Sequence, residues 1–300
     1  ADRRMDGAFP TRLSMNRGQQ PTMTTGFVLC ADDFAMTEGV SRSILALLED
    51  GRLSATGAMT NRPHWPRLAG DLAAHAGHAD LGLHLNLTCA APLSLMPRLA
   101  PGGELPKLGE LARAAVASAE IRSEIALEID RQLDAFEQAL GRAPDFVDGH
   151  QHVHVLPGIR GAVLSSIARR YPPGSVYLRD PSDRAAAIRA RGVAVGKALV
   201  ISGLGLGMRR AAARRGIPVN RGFSGASPFD PARDFADDLA RFLIQPGPAH
   251  LVMCHPGFID DELAMLDPVI ATRPLEHAAL AVFEPPPGLA IRRFAALQRS

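Results

Sequence analysis

Short apolar segments alternate with longer segments of helical pattern from Phe27 onwards, and this alternation constrains the fold more than any other feature of the sequence. The first apolar segment, Phe27 to Ala31, is predicted to end as a strand before Asp32-Asp33, and Thr37 is a predicted N-cap for a helix over 38–49. Further segments are predicted as strands: 54–59, 81–87, 146–154, 175–179, 250–254 and 289–291. Strands that alternate with helices form parallel sheets covered by helices. The 300 residues therefore predict an α/β barrel in one domain.

Charge, hydropathy and cysteine content exclude several classes of protein. Lysine and arginine total 33 and aspartate and glutamate 31, so the net charge of +2 gives no electrostatic reason to expect nucleic-acid or membrane binding. No apolar run reaches the roughly 18 residues of a membrane-spanning helix. Three cysteines without a CxxC pair predict a reducing, cytoplasmic location. Residues 1–24 are predicted to be an N-terminal extension outside the core, and residues 25–300 to form a single domain.

Two segments rich in glycine or proline interrupt the pattern. Residues 88–107 are too long for an ordinary connection and are predicted to be a functional loop over the site. The helical pattern of 110–140 that follows is predicted to fold as one helix or as two. The glycines at 203, 205 and 207 lack the spacing and the preceding strand of a nucleotide-binding loop, so they predict a helix break.

Four ionisable residues occupy alternate positions of one segment: Asp148, His150, His152 and His154. If this segment is extended, all four side chains point to one face of the sheet. Neutral imidazole is the commonest protein ligand for transition metals, and a neighbouring carboxylate can orient it. A solvated His-rich loop or a tag-like tract is the alternative, but the row lies mid-chain after the apolar pair Phe146-Val147. A metal site is therefore favoured, and the alternation leaves open which imidazole binds the ion.

Ligand-type side chains also follow other predicted strands. They are the Asp32-Asp33 pair, His84 and His255. Taken singly, an aspartate pair is normally a helix entry and a lone histidine is normally structural. Side chains at the carboxyl ends of parallel strands converge on one face, however, and active sites form there. One aspartate and two histidines suit a hydrolytic metal ion and equally non-haem iron, while the second aspartate is available as a general base.

Four motifs together resemble the YdjC-like carbohydrate deacetylases. They are Ala31 to Phe34, Gly82 to Thr88, Asp148 to His154 and Met253 to Phe258, and they follow the order of the family. The resemblance implies a distorted (β/α) barrel like that of polysaccharide deacetylases. It implies one divalent metal ion, Mg²⁺ in the family, with Zn²⁺ or another transition metal as the alternative. It also implies hydrolysis of the N-acetyl group of a small sugar or oligosaccharide, such as a chitooligosaccharide, with release of acetate.

The resemblance further implies roles for residues at matching positions. The implied metal ligands are Asp33, His84 and His150. Asp32 would be the general base that activates water, and His255 would be the general acid or the group that steadies the oxyanion. Four residues are predicted to contact the substrate or to support the ligands: His152, His154, Asn86 and Asp148.

The chain departs from the family at Ala35, where the motif normally has glycine. Glycine reaches backbone conformations with positive φ that are largely closed to alanine. We predict a turn or helix entry with negative φ at this position, which alanine adopts without strain. The geometry of the preceding aspartate pair is therefore expected to survive the change.

Two other functions are compatible with the same residues. A metal-dependent phosphoesterase would need an Arg or Lys clamp near the strand ends, and Arg179 is the candidate for it. A catalytically inactive sugar- or metal-binding barrel is disfavoured by the intact Asp32-Asp33 pair. The expected partner is a small N-acetylated carbohydrate. The sequence leaves open which sugar it is, which metal is bound and whether the chain forms a homodimer.

Overall fold

The computed structural model describes residues 25–298, so the predicted extension over 1–24 lies outside the described residues. Within this part of the chain the strands are β1 (Thr25–Phe34), β2 (Ala55–Ala58), β3 (Asp80–Leu85), β4 (Phe146–Gly149), β5 (Tyr177–Leu178), β6 (Phe223–Ser224), β7 (His250–Cys254) and β8 (Leu289–Ile291). The α-helices of the same part are α1 (Glu38–Glu49), α2 (Trp65–Ala73), α3 (Leu108–Ala117), α4 (Ala119–Leu140), α5 (Arg160–Arg170), α6 (Ala185–Arg191), α7 (Val195–Leu204), α8 (Met208–Ala213), α9 (Phe235–Phe242), α10 (Leu263–Leu266), α11 (Arg273–Val282) and α12 (Phe294–Leu297).

All described strands run parallel. Hydrogen-bonded neighbours follow the order β5-β4-β3-β2-β1-β7-β6, and β8 pairs with the start of β1. A parallel bridge between Leu178 and Val219 brings the β5 edge to the segment just before β6. The sheet is thus curled into a half-barrel with helices around it, which confirms the predicted fold class. Because the strands are parallel, their carboxyl ends share one face of the half-barrel.

Local sequence signals set several helix boundaries. The Thr37 side chain accepts the Val40 N–H at the start of α1, which confirms the predicted N-cap. Ser118 caps α4 in the same way and separates it from α3, so the predicted helical segment folds as two helices. Gly207, at φ 81°, lies between α7 and α8, where a helix break was predicted. These boundaries follow from residues within one turn of the helix end, and the sequence therefore reveals them.

The central strand β1 lies in the core of the sheet. Its residues from Val28 to Phe34 have relative exposures between 0 % and 2 %. Asp32 and Asp33 are therefore inside a buried strand, whereas the sequence predicted that the strand ends before them. A strand covered on both faces carries an apolar run, and charged residues within it require partners. No described helix is long and apolar enough to cross a membrane.

The histidine segment is not a strand, contrary to the prediction. β4 ends at Gly149, and a 3-10 helix follows over His150–Val155. Gln151 and His152 have φ values of 52° and 59°, in the left-handed region. The pairing of Gly149 with Leu85, the last residue of β3, is the final step of the β3–β4 ladder. The backbone beyond Gly149 has no neighbouring β3 residue to pair with, so the alternate residues do not share one face of a sheet.

Residues 88–107, the predicted loop, form an irregular segment that is attached to α4. Glu128 accepts the Leu93 N–H at 3.0 Å and both the N–H and the hydroxyl of Ser94 at 2.7 Å. One helical turn earlier, Glu124 accepts two further backbone N–H groups of the loop. Positions four apart lie on the same face of a helix. Two carboxylates on one face of α4 therefore hold this loop in place.

Candidate active site

Three side chains from the ends of β1, β3 and β4 meet in one cluster. The Oδ1 atom of Asp33 lies 2.8 Å from Nδ1 of His150 and 3.3 Å from Nε2 of His84. One ligand atom from each residue lies within 4.8 Å of the others, and all three residues are buried. Two imidazole nitrogens and a carboxylate oxygen at this spacing form a donor set for a divalent ion. The structure thus brings together the three residues predicted as metal ligands.

Asp148 orients His84. Its Oδ1 lies 2.7 Å from Nδ1 of the imidazole, and the two residues are in register between β3 and β4. A carboxylate at Nδ1 keeps the proton there and leaves Nε2 to face Asp33. Burial opposes a charge on His84, but the carboxylates of Asp148 and Asp32 outweigh it and raise the pKa of His84 to about 10. Metal binding at Nε2 would therefore displace a proton.

An arginine binds the second oxygen of Asp33. Arg273 is fully buried and donates from Nη2 to Oδ2 of Asp33 at 2.7 Å, and it also binds Asp267. Burial by itself would raise the pKa of Asp33, but His150 and Arg273 hold that pKa well below its ordinary value. Asp33 is therefore ionised, with Oδ1 directed to the histidines. The sequence gives no indication of Arg273, because it lies 240 positions from Asp33 and carries no motif of its own.

Arg179 binds the other aspartate of the pair. Its two terminal nitrogens lie 2.7 Å and 2.6 Å from the two oxygens of Asp32, and one of them is 2.6 Å from Oδ2 of Asp148. Such a bidentate contact fixes the plane of the carboxylate. Burial raises the pKa of Asp32 above its ordinary value, and Arg179 offsets this only in part. A carboxylate with a raised pKa is a better proton acceptor at neutral pH.

A second set of possible metal donors lies around Arg179. Cys30, Asp32 and Asp148 each place a donor atom within 4.8 Å of the others. Arg179 already lies among them, with Nη2 3.1 Å from Sγ of Cys30. Its guanidinium group therefore takes the place that a metal ion would need. Because both terminal nitrogens of Arg179 are engaged by carboxylates, it does not serve as the phosphoryl clamp that a phosphoesterase would need.

The backbone at Ala35 is left-handed, with φ of 67°, so the predicted negative φ is wrong. Asp33 is also left-handed, at φ 70°. Hydrogen bonds hold the turn: the Ala35 N–H donates to Oγ of Ser41 at 2.9 Å, and the Met36 N–H to the carbonyl of Asp33 at 3.0 Å. An L-residue in this conformation costs about 1–2 kcal/mol. Strain of this kind persists where the surrounding structure over-determines the backbone.

His255 follows β7 beside the aspartate pair. Cys254 is paired with Ala31, so His255 lies level with Asp32 on the neighbouring strand. Its backbone N–H donates to Oε2 of Glu276 at 2.5 Å. Burial lowers the pKa of His255 to about 3 and raises the pKa of Glu276 to about 7. His255 is therefore neutral near pH 7. Glu276, on α11, is not indicated by the sequence either, since only the fold brings it to the site.

Two of the predicted substrate contacts have no surface available for a substrate. Asn86 is fully buried, and its side chain bonds Asn61 and the backbone of residues 88 and 89. It shapes the start of the loop over 88–107. Asp148 is equally buried between His84 and Arg179. Neither side chain is exposed on the surface, and Asp148 contacts His84 and Arg179.

The last two histidines of the row have different surroundings. His154 is fully buried, with Nε2 3.0 Å from the carbonyl oxygen of Arg179. His152 keeps 9 % of its surface exposed and packs edge-to-face on Phe223, with ring centroids 5.7 Å apart. Of the two, His152 is the one with surface that a substrate can reach. His154 supports the segment that carries Arg179.

The fold and the site define a parallel half-barrel with a buried carboxylate–histidine centre at the ends of its strands. The profile of the YdjC-like protein family matches residues 26–282, and the chain belongs to this family. A chitooligosaccharide deacetylase of Yersinia pestis (strain Pestoides F) is 32 % identical over 238 residues, which cover 79 % of this chain and 83 % of that protein. A chitooligosaccharide deacetylase of Enterobacter sp. (strain 638) is 33 % identical over 144 residues, which cover 48 % of this chain and 56 % of that protein.

A solved structure shares the fold. It is a protein of Enterococcus faecalis V583 that is named for a proposed role in cellobiose-phosphate cleavage. The two structures have a TM-score of 0.66 and 20 % sequence identity, and the match covers 91 % of this chain and 99 % of the other. At this identity the likeness shows the fold alone. The chemistry of the present chain depends on its own site residues.

Proposed function

We propose that this protein is a metal-dependent carbohydrate N-deacetylase, a hydrolase that removes the acetyl group of a small N-acetylated sugar or oligosaccharide. Chitooligosaccharides are the proposed substrate class, because both relatives described above carry the name chitooligosaccharide deacetylase. One observation carries the proposal: the adjacent aspartates have different partners. Asp33 faces two histidines, whereas Asp32 is bound by Arg179 beside them.

The cluster of Asp33, His84 and His150 suits a divalent ion. Its donors are two imidazole nitrogens and one carboxylate oxygen, and Asp148 and Arg273 hold two of these side chains in orientation. The family resemblance implies Mg²⁺, whereas imidazole donors favour Zn²⁺ or another transition metal. When bound, such an ion supplies Lewis-acid stabilisation of the acetyl oxygen and lowers the pKa of water. Metal dependence and the identity of the metal are part of the proposal.

Asp32 is the proposed general base. A carboxylate has about four lone-pair sites, so the two hydrogen bonds from Arg179 leave capacity to accept a proton. As the oxygen of water bonds to the acetyl carbon, Asp32 accepts the proton that this oxygen loses. Arg179 holds the carboxylate in one orientation and balances its charge. The raised pKa of Asp32 favours its role as a proton acceptor.

His255 is the proposed proton donor to the leaving group. When the bond between the acetyl carbon and nitrogen breaks, the amine nitrogen must gain a proton. Because burial lowers the pKa of His255 to about 3, its imidazole starts neutral. It therefore takes up the proton collected by Asp32 and passes it to the amine. Acetic acid and the free amine then leave, and the acid gives up its remaining proton to solvent to become acetate.

Acetate release tests the proposed function. Metal-stripped protein is supplied with Mg²⁺, Zn²⁺, Mn²⁺ or Ni²⁺ and incubated with a panel of N-acetylated sugars that includes chitooligosaccharides. We expect acetate from at least one pair of metal and sugar, and none without metal. Phosphate release from phosphorylated sugars is the control for a phosphoesterase. Absence of acetate from every pair would contradict the proposal and favour a non-catalytic sugar- or metal-binding barrel.

A further inference from the structure

The ring of His255 lacks the hydrogen bond that normally orients a histidine at a reactive site. Its Nδ1 is buried and has no hydrogen-bond partner among residues 25–298. The contact with Glu276 is made by the backbone N–H of His255 and does not restrain the ring. The χ2 torsion of histidine has a broad, roughly two-fold profile. Packing must therefore decide which way this imidazole faces.

Phe229 supplies that packing. Its ring centroid lies 5.2 Å from the centroid of the His255 ring, and the two planes meet at 81°. Edge-to-face pairs of this kind stabilise the relative orientation of the two rings beyond the effect of the area they bury. Phe229 and His255 are both half-buried, so the pair lies where the core meets the solvent-accessible part of the site.

The backbone of Phe229 has a conformation that a bulky residue rarely adopts. Its φ is 55°, in the left-handed region. The Phe229 N–H donates to Oγ of Ser227 at 3.1 Å, and the carbonyl oxygen of Ser227 accepts a hydrogen bond from Nζ of Lys197 at 2.9 Å. Strained conformations persist where neighbouring groups over-determine them, and they are concentrated at functional sites.

Lys197 holds the ring as well as the turn. Its Nζ lies 3.9 Å from the centroid of the Phe229 ring, which is the geometry of a cation–π contact. One ammonium group thus contacts the aromatic face of residue 229 and the carbonyl oxygen of residue 227. Lys197 lies on α7 and is one of two lysines in the chain, the other being Lys107. Nearly all other Lys and Arg positions of the chain are arginines, so a lysine stands out in the sequence at this position.

Resting on the proposed deacetylase function, we propose that Phe229, held by Lys197, is a positioning residue that sets the orientation of the His255 imidazole for proton transfer to the leaving amine. Phe229 acts through His255 and not by binding the sugar. Three observations support this role. Nδ1 of His255 has no hydrogen bond, the rings of Phe229 and His255 meet edge to face, and Lys197 contacts the Phe229 ring beside the strained turn. Loss of these contacts would leave the proton donor with more than one ring orientation.

The test compares four variants with the wild type. Phe229→Leu removes the aromatic ring but keeps apolar bulk, Phe229→Tyr keeps the ring, and Lys197→Met removes the charge. Lys107→Met is the matched control, since Lys107 is exposed and lies outside this cluster. We expect kcat of Phe229→Leu to fall about 10- to 100-fold, because a displacement of about 1 Å of a reacting group costs about that much. Phe229→Tyr and Lys107→Met should keep the wild-type rate, and Lys197→Met should lie between.

Two further readouts separate positioning from other roles. KM and the metal Kd should stay at their wild-type values in every variant. In metal-free protein, NMR of the His255 ring protons should show a ring-current shift that Phe229→Leu abolishes and Phe229→Tyr retains. A raised KM with unchanged kcat would overturn the proposal, because Phe229 would then be a substrate contact. Unchanged kcat in Phe229→Leu would overturn it as well.

Failure of the proposed deacetylase function gives a result that differs from failure of the positioning role. If the wild type releases no acetate from any substrate, the deacetylase proposal fails and the His255 resonances alone decide the question of ring orientation. Retention of a single, shifted set of His255 resonances in both Phe229→Leu and Lys197→Met would then overturn the positioning role. Appearance of averaged or multiple resonances in those variants, and not in Lys107→Met, would support it.

Discussion

Asp148 and His84 are joined across neighbouring strands by a contact of 2.7 Å between Oδ1 and Nδ1. The two residues are in register in β3 and β4, so the pairing of the backbones positions this contact. Because His84 then presents Nε2 to Asp33, the metal cluster depends on a carboxylate that is not one of its three members. The second oxygen of Asp148 is bound by Arg179, which also binds Asp32. One aspartate thus connects the candidate metal ligands with the candidate base.

Replacement of Asp148 should weaken metal binding. In Asp148→Asn a neutral amide oxygen replaces the charged acceptor at Nδ1 of His84, and an NH2 group faces the guanidinium of Arg179, so the imidazole is oriented less firmly. We expect the metal Kd to rise about 10- to 100-fold, as is typical when the partner of a ligating histidine is removed. Isothermal titration of metal-stripped protein with Zn²⁺ and Mg²⁺ measures this. Asp134→Asn, on α4 outside the cluster, is the control, and an unchanged Kd in Asp148→Asn would contradict the inferred role.

Replacement of Asp32 should abolish turnover and leave metal binding largely intact. Asp32→Asn removes the proposed proton acceptor, which contributes typically about 10²–10⁴-fold to the rate. Asp33 and the two histidines of the cluster are untouched by this change. Acetate release and metal titration are measured on the same preparation, with Asp33→Asn as the paired variant. Loss of metal in Asp32→Asn together with its retention in Asp33→Asn would mean that the two roles are reversed.

The pH dependence of stability should report on Glu276. Burial raises its pKa from 4.5 to about 7, so between these values the folded chain holds a proton that the unfolded chain has lost. The stability that protonated Glu276 contributes is fully present below the unfolded pKa and is lost as pH rises through the folded pKa. Relative to Glu276→Gln, the wild type should lose at most about 3 kcal/mol between pH 4.5 and pH 8.

Urea unfolding of metal-free protein at a series of pH values checks the prediction for Glu276. The Gln variant keeps the size of the side chain and an acceptor for the His255 N–H, so the difference between the two curves isolates the ionisation. Curves that run parallel across this range would show that the buried carboxyl group does not hold its proton in the folded protein.

Replacement of Glu128 should release the loop over 88–107. The carboxylate of Glu128 accepts three hydrogen bonds from Leu93 and Ser94. Glu128→Ala leaves these donors without their acceptor, and we expect a loss of stability of about 1–3 kcal/mol. Urea unfolding measures the loss, and limited proteolysis should show faster cleavage near residue 93. Arg131→Ala, exposed on the same helix, should change neither result; equal cleavage rates in the two variants would exclude this anchoring role.

Much of the fold could be predicted from local pattern. The N-cap at Thr37 and the break before α8 depend on residues within one helical turn. The conformation at 150–155 could not be predicted in this way, since it depends on where a different strand, β3, ends. The positive φ of Ala35 could not be predicted from the sequence for a similar reason. The hydrogen bond from its N–H to Ser41 exists only after α1 has packed on β1.

The candidate site, too, could be predicted from the sequence only in part. Sequence alone determined which residue types stand at the strand ends, including Asp33, His84 and His150, because apolar periodicity and motif spacing are properties of short segments. Only the tertiary structure decided which groups these residues meet.

Asp32 and Asp33 are neighbours with one local sequence, yet Arg179 binds the first and Arg273 the second. Phe229 packs on His255, and Lys197 from another segment packs on Phe229. A buried charge or ring is stabilised by whatever lies within a few ångströms of it, and that distance depends on the packing of the whole half-barrel. The different roles proposed for the two adjacent aspartates are therefore a property of the fold.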